Sequence, residues 1–282
     1  MHCNFSSELI ITTYNNPVAL AMTLHTVSQQ TKVPTSICIA DDGSTSDTKD
    51  TIEAFSDNNP TMSIRHVWQP DNGFNKNTIL NQSIISSSAD YLIFIDGDCL
   101  ACPTFIERHI DLAKKRHFVT GSVIRLNTEL TQKLCSSRLT EPHIFTYSWL
   151  LAQGQIDRIG TKLKTNLYGK KISTILESLS PVKKVWNGGN TSGWRNDIVE
   201  ANGFDEDLKY GAEDVELGVR LNNNGVFGRH IRYSAPLLHL DHPRSYVDKA
   251  QLRKNKLYLK EVKAIGLKWA TNGISKHTQN AN

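Results

Sequence analysis

Residues 91–98 read Tyr91-Leu-Ile-Phe-Ile95-Asp96-Gly97-Asp98: five apolar residues in a row, then two carboxylates one residue apart. A run this short, apolar at odd and even positions alike and closed by a polar turn, is the pattern of a strand buried on both faces. Glu8-Leu-Ile-Ile-Thr12 repeats it and ends at the turn cluster Thr13-Tyr-Asn-Asn-Pro17. Ser36-Ile-Cys-Ile-Ala40 repeats it again and ends at Asp41-Asp-Gly-Ser44, while Met62 to Trp68 alternates more weakly. Helical stretches fill the gaps: one running to Gln30, one from Ser46 to Phe55 with Ser46 or Asp47 suited to cap it, and one from Asn75 to Ile85. Pro103 suits the first turn of a further helix reaching about Arg116. Short apolar strands alternating with helices predict an α/β fold, a mostly parallel central sheet with helices on both faces. In such sheets ligands bind beyond the carboxyl ends of the strands. Thr13-Tyr14, Asp41-Asp42 and Asp96-Gly-Asp98 are therefore expected to line one crevice.

Composition narrows the class. Of 282 residues 39% are hydrophobic and 21% charged, ordinary globular usage that excludes disorder as the main state. A net charge of +4 is too small to indicate nucleic acid, and no nucleic-acid partner is expected. The run Tyr91–Ile95 is far shorter than the ~20 residues of a membrane helix. Met1-His-Cys-Asn-Phe-Ser-Ser-Glu8 has no basic region followed by an apolar stretch, so no secretory signal is expected. Five cysteines, an odd number without framework spacing, point to a reducing, cytosolic setting.

The chain reads as a single domain, 1–282, with elaborations. Strands and helices alternate over 1–125. Residues 126–184 read as a helical, basic insertion: between 130 and 185 there are nine Lys or Arg against three acids. Order resumes over 185–245, and 246–282 is a basic tail with an amphipathic helix from Val247 to about Ile265.

Two carboxylates at a strand end, as in Asp96-Gly-Asp98, can present oxygens to Mg²⁺ or Mn²⁺ and to a ligand hydroxyl, or form an Asp-Gly turn. The acids of Ala40-Asp-Asp-Gly-Ser44 can accept from a ligand's ring N–H or ribose, or favour the following helix N-terminus by ~0.3–1 kcal/mol. Glu213 and Asp214 open a helix-like stretch from Ala212 to Asn224, stopped by Gly225, and carry the same two readings. Cys99-Leu-Ala-Cys102-Pro103 offers a redox alternative, opposed by the charge of Asp98 beside the first thiol.

Four motifs in order, Ile11-Thr-Thr-Tyr-Asn15, Ala40-Asp-Asp-Gly-Ser44, Asp71-Asn-Gly-Phe74 and Phe94-Ile-Asp-Gly-Asp98, resemble the nucleotide-sugar half of the GT-A-fold glycosyltransferases, above all the inverting family 2. Trp186-Asn-Gly-Gly-Asn190, Gly203-Phe-Asp-Glu206 and Tyr210-Gly-Ala-Glu-Asp-Val-Glu-Leu-Gly-Val-Arg220 resemble the acceptor module shared with galactosyl- and N-acetylgalactosaminyltransferases. The resemblance implies a Rossmann-like GT-A sheet and a UDP-sugar donor. Thr12 and Tyr14 would frame the uracil, Asp42 would bond its edge, and Lys76 would contact base or phosphates. Asp96 would hold the ribose or lie near the metal, with Asp98 the direct metal ligand. His239 would be a second ligand, with His242 as runner-up, and an imidazole there tilts the choice from Mg²⁺ toward Mn²⁺. Asp214 would be the general base and Glu213 would bond acceptor hydroxyls. Gly188, Gly189 and Asn190 would line the donor sugar or acceptor, because paired glycines admit a close approach, or would form a tight turn. Trp194 would stack on a sugar or pack in the core. One departure stands out: Ala212 replaces the second glycine of the commoner pattern.

The implied activity is metal-dependent inverting transfer of a hexose or N-acetylhexosamine to a saccharide or lipid-linked acceptor, in bacterial surface polysaccharide or lipopolysaccharide synthesis. The basic insertion and tail suggest an acceptor carrying phosphate, or peripheral contact with the inner face of the membrane, or simply a solvated basic surface. A nucleotidyltransferase on a similar sheet is an alternative that lacks its Gly-rich basic loop here. A non-catalytic nucleotide- or sugar-binding protein would need no Glu213-Asp214 pair.

Overall fold

The computed structural model describes residues 5–138, 140–156, 159–165, 170–242 and 248–278. Its strands are β1 (Ser7–Thr13), β2 (Ser36–Asp41), β3 (Ile64–Trp68), β4 (Tyr91–Asp96), β5 (Cys99–Ala101), β6 (His117–Thr120), β7 (Val123–Arg125), β8 (Asn190–Trp194), β9 (Phe227–His230) and β10 (Leu237–His239). Seven form the central sheet in the order β3-β2-β1-β4-β8-β6-β9. Only β8 runs against its neighbours, β4 and β6; the other pairs are parallel. The protein is thus α/β with a mostly parallel sheet covered by helices.

Both faces of the sheet are buried, and the strand pleat sorts the apolar run between them. Leu9, Ile11, Ile37, Ile39, Ile93 and Ile95 enter one core with Leu20 and Leu24 of the helix Pro17–Ser28. Ile10, Cys38, Leu92 and Phe94 enter the other, with Ile79 and Leu80 of the helix Lys76–Ile85 and with Trp186, Leu217 and Leu221. This is why Tyr91–Ile95 is apolar without alternation.

A small second sheet, β5-β10-β7, sits at the carboxyl edge of the first. It pairs Cys99 with His239 antiparallel, and His239 with Arg125 parallel. The helix expected from Pro103 is shorter than its pattern, Phe105–Asp111, because β5 occupies the chain just before it and β6 begins at His117. At the next helix, Ser46–Asn58, the N-cap is Thr45, and Ser46 and Asp47 lie inside the first turn.

Residues 126–184 carry short helices, including Thr128–Ser137, Tyr147–Ala152, Ile159–Leu163 and Lys170–Leu179. Glu177 anchors the last of these. Its buried carboxylate accepts from the Tyr233 and Ser234 amides at 2.9 and 3.0 Å, with Arg108 at 3.5 Å. Asp157 and Arg158 of this segment, and the start of the tail at 243–247, lie outside the described residues; the tail helix is Lys249–Ile265. Among the described residues no helix is long and apolar enough to cross a membrane.

Candidate active site

The carboxyl ends of β1, β2 and β4 open into a cleft of about 690 Å³. Thr12, Tyr14, Asp42, Lys76, Asp96, Asp98, Gly189, Glu213, Asp214, His239 and His242 all line it, so residues from widely spaced motifs share one space.

At its centre the β1–β4 register sets Thr12 beside Asp96. The Thr12 hydroxyl donates to Asp96 Oδ1 at 2.9 Å, and Lys76 Nζ meets the same oxygen at 2.7 Å. Burial works against the Lys76 charge, but the carboxylates of Asp96, Asp214 and Glu213 outweigh it and hold the ammonium above its usual pKa. One cation therefore sits among three acids.

Beyond β2 the two neighbouring acids divide the work that the sequence left open between capping and binding. Asp41 accepts from the Ser44 amide at 2.8 Å and meets His66 Nε2 at 3.0 Å, a turn-forming role. Asp42 faces the cleft, held by Gln69 Nε2 at 2.6 Å and the Asn75 amide at 2.9 Å, and burial pushes its carboxyl up to about 6. Tyr14, half exposed, donates its hydroxyl to Asp71 at 2.8 Å. Neither Gln69 nor Asp71 was singled out from the sequence. Gln69 immediately follows β3, and the strand-end rule that found Asp42 would have found it.

A second cluster lies where β5 and β10 pair. Asp98 Oδ2 is 3.1 Å from His242 Nε2 and 3.7 Å from His239 Nε2. The Leu240 amide donates to the Asp98 carbonyl at 2.9 Å and so fixes this approach. One carboxylate oxygen and two imidazole nitrogens converging at a cleft wall are a donor set suited to a divalent transition cation. The residues present fit a divalent-cation site: Asp98, Cys99 and His239 offer ligand atoms within 4.8 Å of one another, with His242 beside Asp98, and these side chains would hold such an ion. Cys99 Sγ lies 3.6 Å from the other Asp98 oxygen as a donor to it.

Glu213 and Asp214 begin the helix Glu213–Asn223 on the opposite wall. Asp214 is seated against Gly188, where a Cβ would lie 2.4 Å from its Oδ1; Gly189 is equally close to Asp96, with a Cβ 2.6 Å from Oδ2. Only glycine permits both approaches. Burial raises both acids of the pair, Glu213 to about 7 with help from the Asp214 charge, and Asp214 with help from Asp96. Asp214 Oδ1 is buried without a hydrogen-bond partner among the described residues, while the Gly188 backbone favours the ionised carboxylate.

The loop before this helix is clamped from the tail. Asn255, buried on the helix Lys249–Ile265, donates to the carbonyls of Lys209, Gly211 and Tyr210 at 3.0, 2.7 and 3.3 Å. Sequence reading gave the tail only a basic surface; a lone asparagine in a charged helix carries no signal of such a contact. Replacing Asn255 by leucine leaves these carbonyls without their donor. Each unsatisfied buried group costs about 1–3 kcal/mol. Urea denaturation of Asn255→Leu is expected to show a loss of about 2–3 kcal/mol.

Ala212, the departure noted above, has φ +78°, in the left-handed region. A side chain there costs about 1–2 kcal/mol, partly offset by the lower unfolded-state entropy of alanine. Ala212→Gly is accordingly expected to stabilise the protein by roughly 0.5–1 kcal/mol, read as a higher urea midpoint at unchanged slope.

Two sequence expectations are corrected. Trp194 does not reach the cleft: it pairs with Tyr91 at the amino end of β4, five residues or about 17 Å from Asp96. There it packs on Tyr91 and Phe5, with Lys115 Nζ 3.5 Å above its ring. Asn190 is fully buried and does not line the cleft. Its amide donates to the Ser122 and Ala235 carbonyls at 3.1 and 3.2 Å, and its Oδ1 faces His109 at 3.2 Å, so it braces the sheet. The redox alternative also fails: Cys99 and Cys102 are buried, and burial drives both thiols up, Cys102 to about 12, the opposite of a reactive pair. Glu216 and Arg220, inside the second-half motif, form a buried ion pair at 2.6 Å, and Arg220 also binds the Gly203 carbonyl at 2.8 Å. They support the helix and take no part in the cleft.

Comparison with known proteins gives the family and the fold. The Glycosyl transferase family 2 description matches residues 8–177, through the segment read above as an insertion and stopping short of Glu213 and Asp214. Relatives include a hyaluronan synthase of Pasteurella multocida, 26% identical over 82% of this chain and 24% of its own length. A validoxylamine A glucosyltransferase of Streptomyces hygroscopicus subsp. limoneus is 27% identical over 78% of this chain and 48% of its own. The chain thus spans a quarter to a half of these relatives. Among solved structures, a mannosyltransferase of Pyrobaculum calidifontis in complex with GDP-Man and Mn²⁺ superposes with a TM-score of 0.59 at 13% identity, covering 94% of this chain and 73% of that one. TarS of S. aureus gives the same score and identity over 96% and 41%. The sheet is the GT-A fold, and with the family match covering residues 8–177 the chain belongs to glycosyl transferase family 2.

Proposed function

We propose that the chain is a metal-dependent inverting glycosyltransferase that moves a hexose or N-acetylhexosamine from a UDP-sugar to a saccharide or lipid-linked acceptor in bacterial surface polysaccharide or lipopolysaccharide synthesis. The observation that carries the reading is the shared cleft. Asp42, Asp96 and Asp98 lie at strand ends, with Asp214 on the facing wall, its Oδ1 buried and unpartnered.

In this reading Tyr14 and Asp42 take the base, Asp42 accepting an N–H at the edge of the ring. Lys76 leaves Asp96 for the diphosphate as the ribose hydroxyls replace it there. Asp98, His239 and His242 would hold a divalent cation, which when bound would supply Lewis-acid neutralisation of charge on the departing UDP. Asp214 accepts the proton of the acceptor hydroxyl as its oxygen attacks the anomeric carbon from the face opposite the diphosphate. The bond to phosphate breaks with its electron pair leaving on UDP, and configuration inverts. Glu213 bonds acceptor hydroxyls, and Gly188 and Gly189 give the Asp214 and Asp96 carboxylates room beside the sugar. The stretch from Trp186 to Arg220 acts as the acceptor module of galactosyltransferase type. The protein works in the cytoplasm or on the inner face of the membrane, reached through its basic surface.

The test is incubation with a panel of UDP-sugars and Mn²⁺, following slow hydrolysis to UDP. One sugar is expected to react faster than the rest, and the reaction to stop on chelation. Release of UDP from no member of the panel, or release indifferent to chelation, would overturn the proposal.

A further inference from the structure

A second cavity, of about 820 Å³, continues from the acid pair away from the nucleotide end, and the two spaces share Glu213, Asp214 and Arg125. Its size suits a ligand of one or two sugar rings. Its charge is one-sided. Apart from Glu213 and Asp214 at the junction, the titratable side chains lining it are Arg125, Lys164, Lys183, Arg232, Tyr210 and a buried His230, with no further acid among the described residues. The cations come from separate parts of the chain: β7, the segment after the helix Ile159–Leu163, the approach to Trp186, and the turn after β9. Lys164 is held with Nζ 3.1 Å from the Val123 carbonyl. Among the described residues no carboxylate pairs with Arg125, Lys183 or Arg232. A concave wall on which cations outnumber the acids among the described residues focuses a positive potential, and guanidinium and ammonium groups bind phosphate and carboxylate best.

Resting on the glycosyltransferase reading, we infer that this cavity is the acceptor site and that the acceptor is anionic, carrying a phosphate or carboxylate within a residue or so of the hydroxyl that attacks. The acid pair meets that hydroxyl at the junction, and the cations hold the charged group farther in. A neutral saccharide would bring no charge to complement Arg125, Lys183 and Arg232. The recognition is of charge first and sugar shape second.

The test uses the full chain saturated with UDP and Mn²⁺, so that the nucleotide end is filled. Saturation-transfer NMR titrations with glycerol 3-phosphate, glucuronate and glucose measure binding to what remains. At least one anion is expected to bind tenfold or more tighter than glucose, and the phosphate-to-carboxylate preference separates a phosphorylated polyol from a uronic acid as the source. Lys183→Gln with Arg232→Gln, both on solvent-facing positions, is expected to weaken that anion at least tenfold while the circular dichroism spectrum is kept. Lys164→Gln provides a second, independent variant, expected to weaken the same anion. Glucose binding as well as either anion, or the variants binding the anion as the unaltered chain does, would overturn the inference. The two readings fail separately. A chain that binds UDP with Mn²⁺ but ignores both anions loses the anionic acceptor alone; one that takes the anion but not UDP loses the donor assignment on which it rests.

Discussion

Asp214→Asn is expected to lower transfer by about 10²- to 10⁴-fold, the usual contribution of a positioned general base, while UDP and Mn²⁺ bind as before. The substitution is nearly isosteric, so it still fits the seat against Gly188, where a Cβ would meet the carboxylate at 2.4 Å. What it removes is the ability to take a proton. Stopped assays of turnover beside a UDP titration make the distinction. Turnover near the unaltered level with donor affinity kept would take Asp214 out of the mechanism and leave Glu213 as the candidate. The pH profile adds a second readout. Burial raises both acids, Glu213 to about 7, and they titrate as a pair. A base must be ionised to act, and Asp214 is raised, so the acid limb of activity should lie above the usual carboxylate range near pH 4.

Asp98→Ala is expected to abolish the metal-supported part of donor binding, reducing UDP affinity in Mn²⁺ by more than about 100-fold, to the level seen with chelator. Calorimetry with UDP in the presence and absence of Mn²⁺ measures it. Asp98 is the one carboxylate that both histidines approach, at 3.1 and 3.7 Å. Each single histidine variant should cost less, about 10-fold, and the larger of the two losses marks the histidine that binds. An Asp98→Ala protein that still shows a Mn²⁺-dependent gain would move the metal to Asp96 and its neighbours.

The strand ends were readable before any coordinates because two physical signals coincided there. Tyr91–Ile95 had to be buried on both faces, which made the sheet parallel, and the sheet in turn gave meaning to Thr12, Asp42 and Asp96 as residues at its carboxyl edge. His239 was legible only through resemblance, because its place depends on β10 pairing with β5 across more than a hundred residues of chain. β8 was missed for a different reason. Asn190-Thr-Ser-Gly-Trp194 has one hydrophobic residue in five, yet every position is buried, its polar side chains bonded inward to neighbours such as Tyr91 and the Val119 carbonyl. Hydrophobic periodicity cannot see a strand that satisfies its burial through hydrogen bonds. The same blindness put Asn190 and Trp194 in the cleft. Asn255 escaped because its partners are backbone carbonyls, which leave no trace in side-chain pattern.

The Asn255 clamp also sets an order of events during synthesis. The carbonyl of Gly211 waits for a donor 44 residues downstream, whereas the strands that frame the nucleotide pocket are made within the first hundred positions. The wall that carries Asp214 is therefore pinned in register only once a further 44 residues have been made, long after the strands at the other end of the cleft.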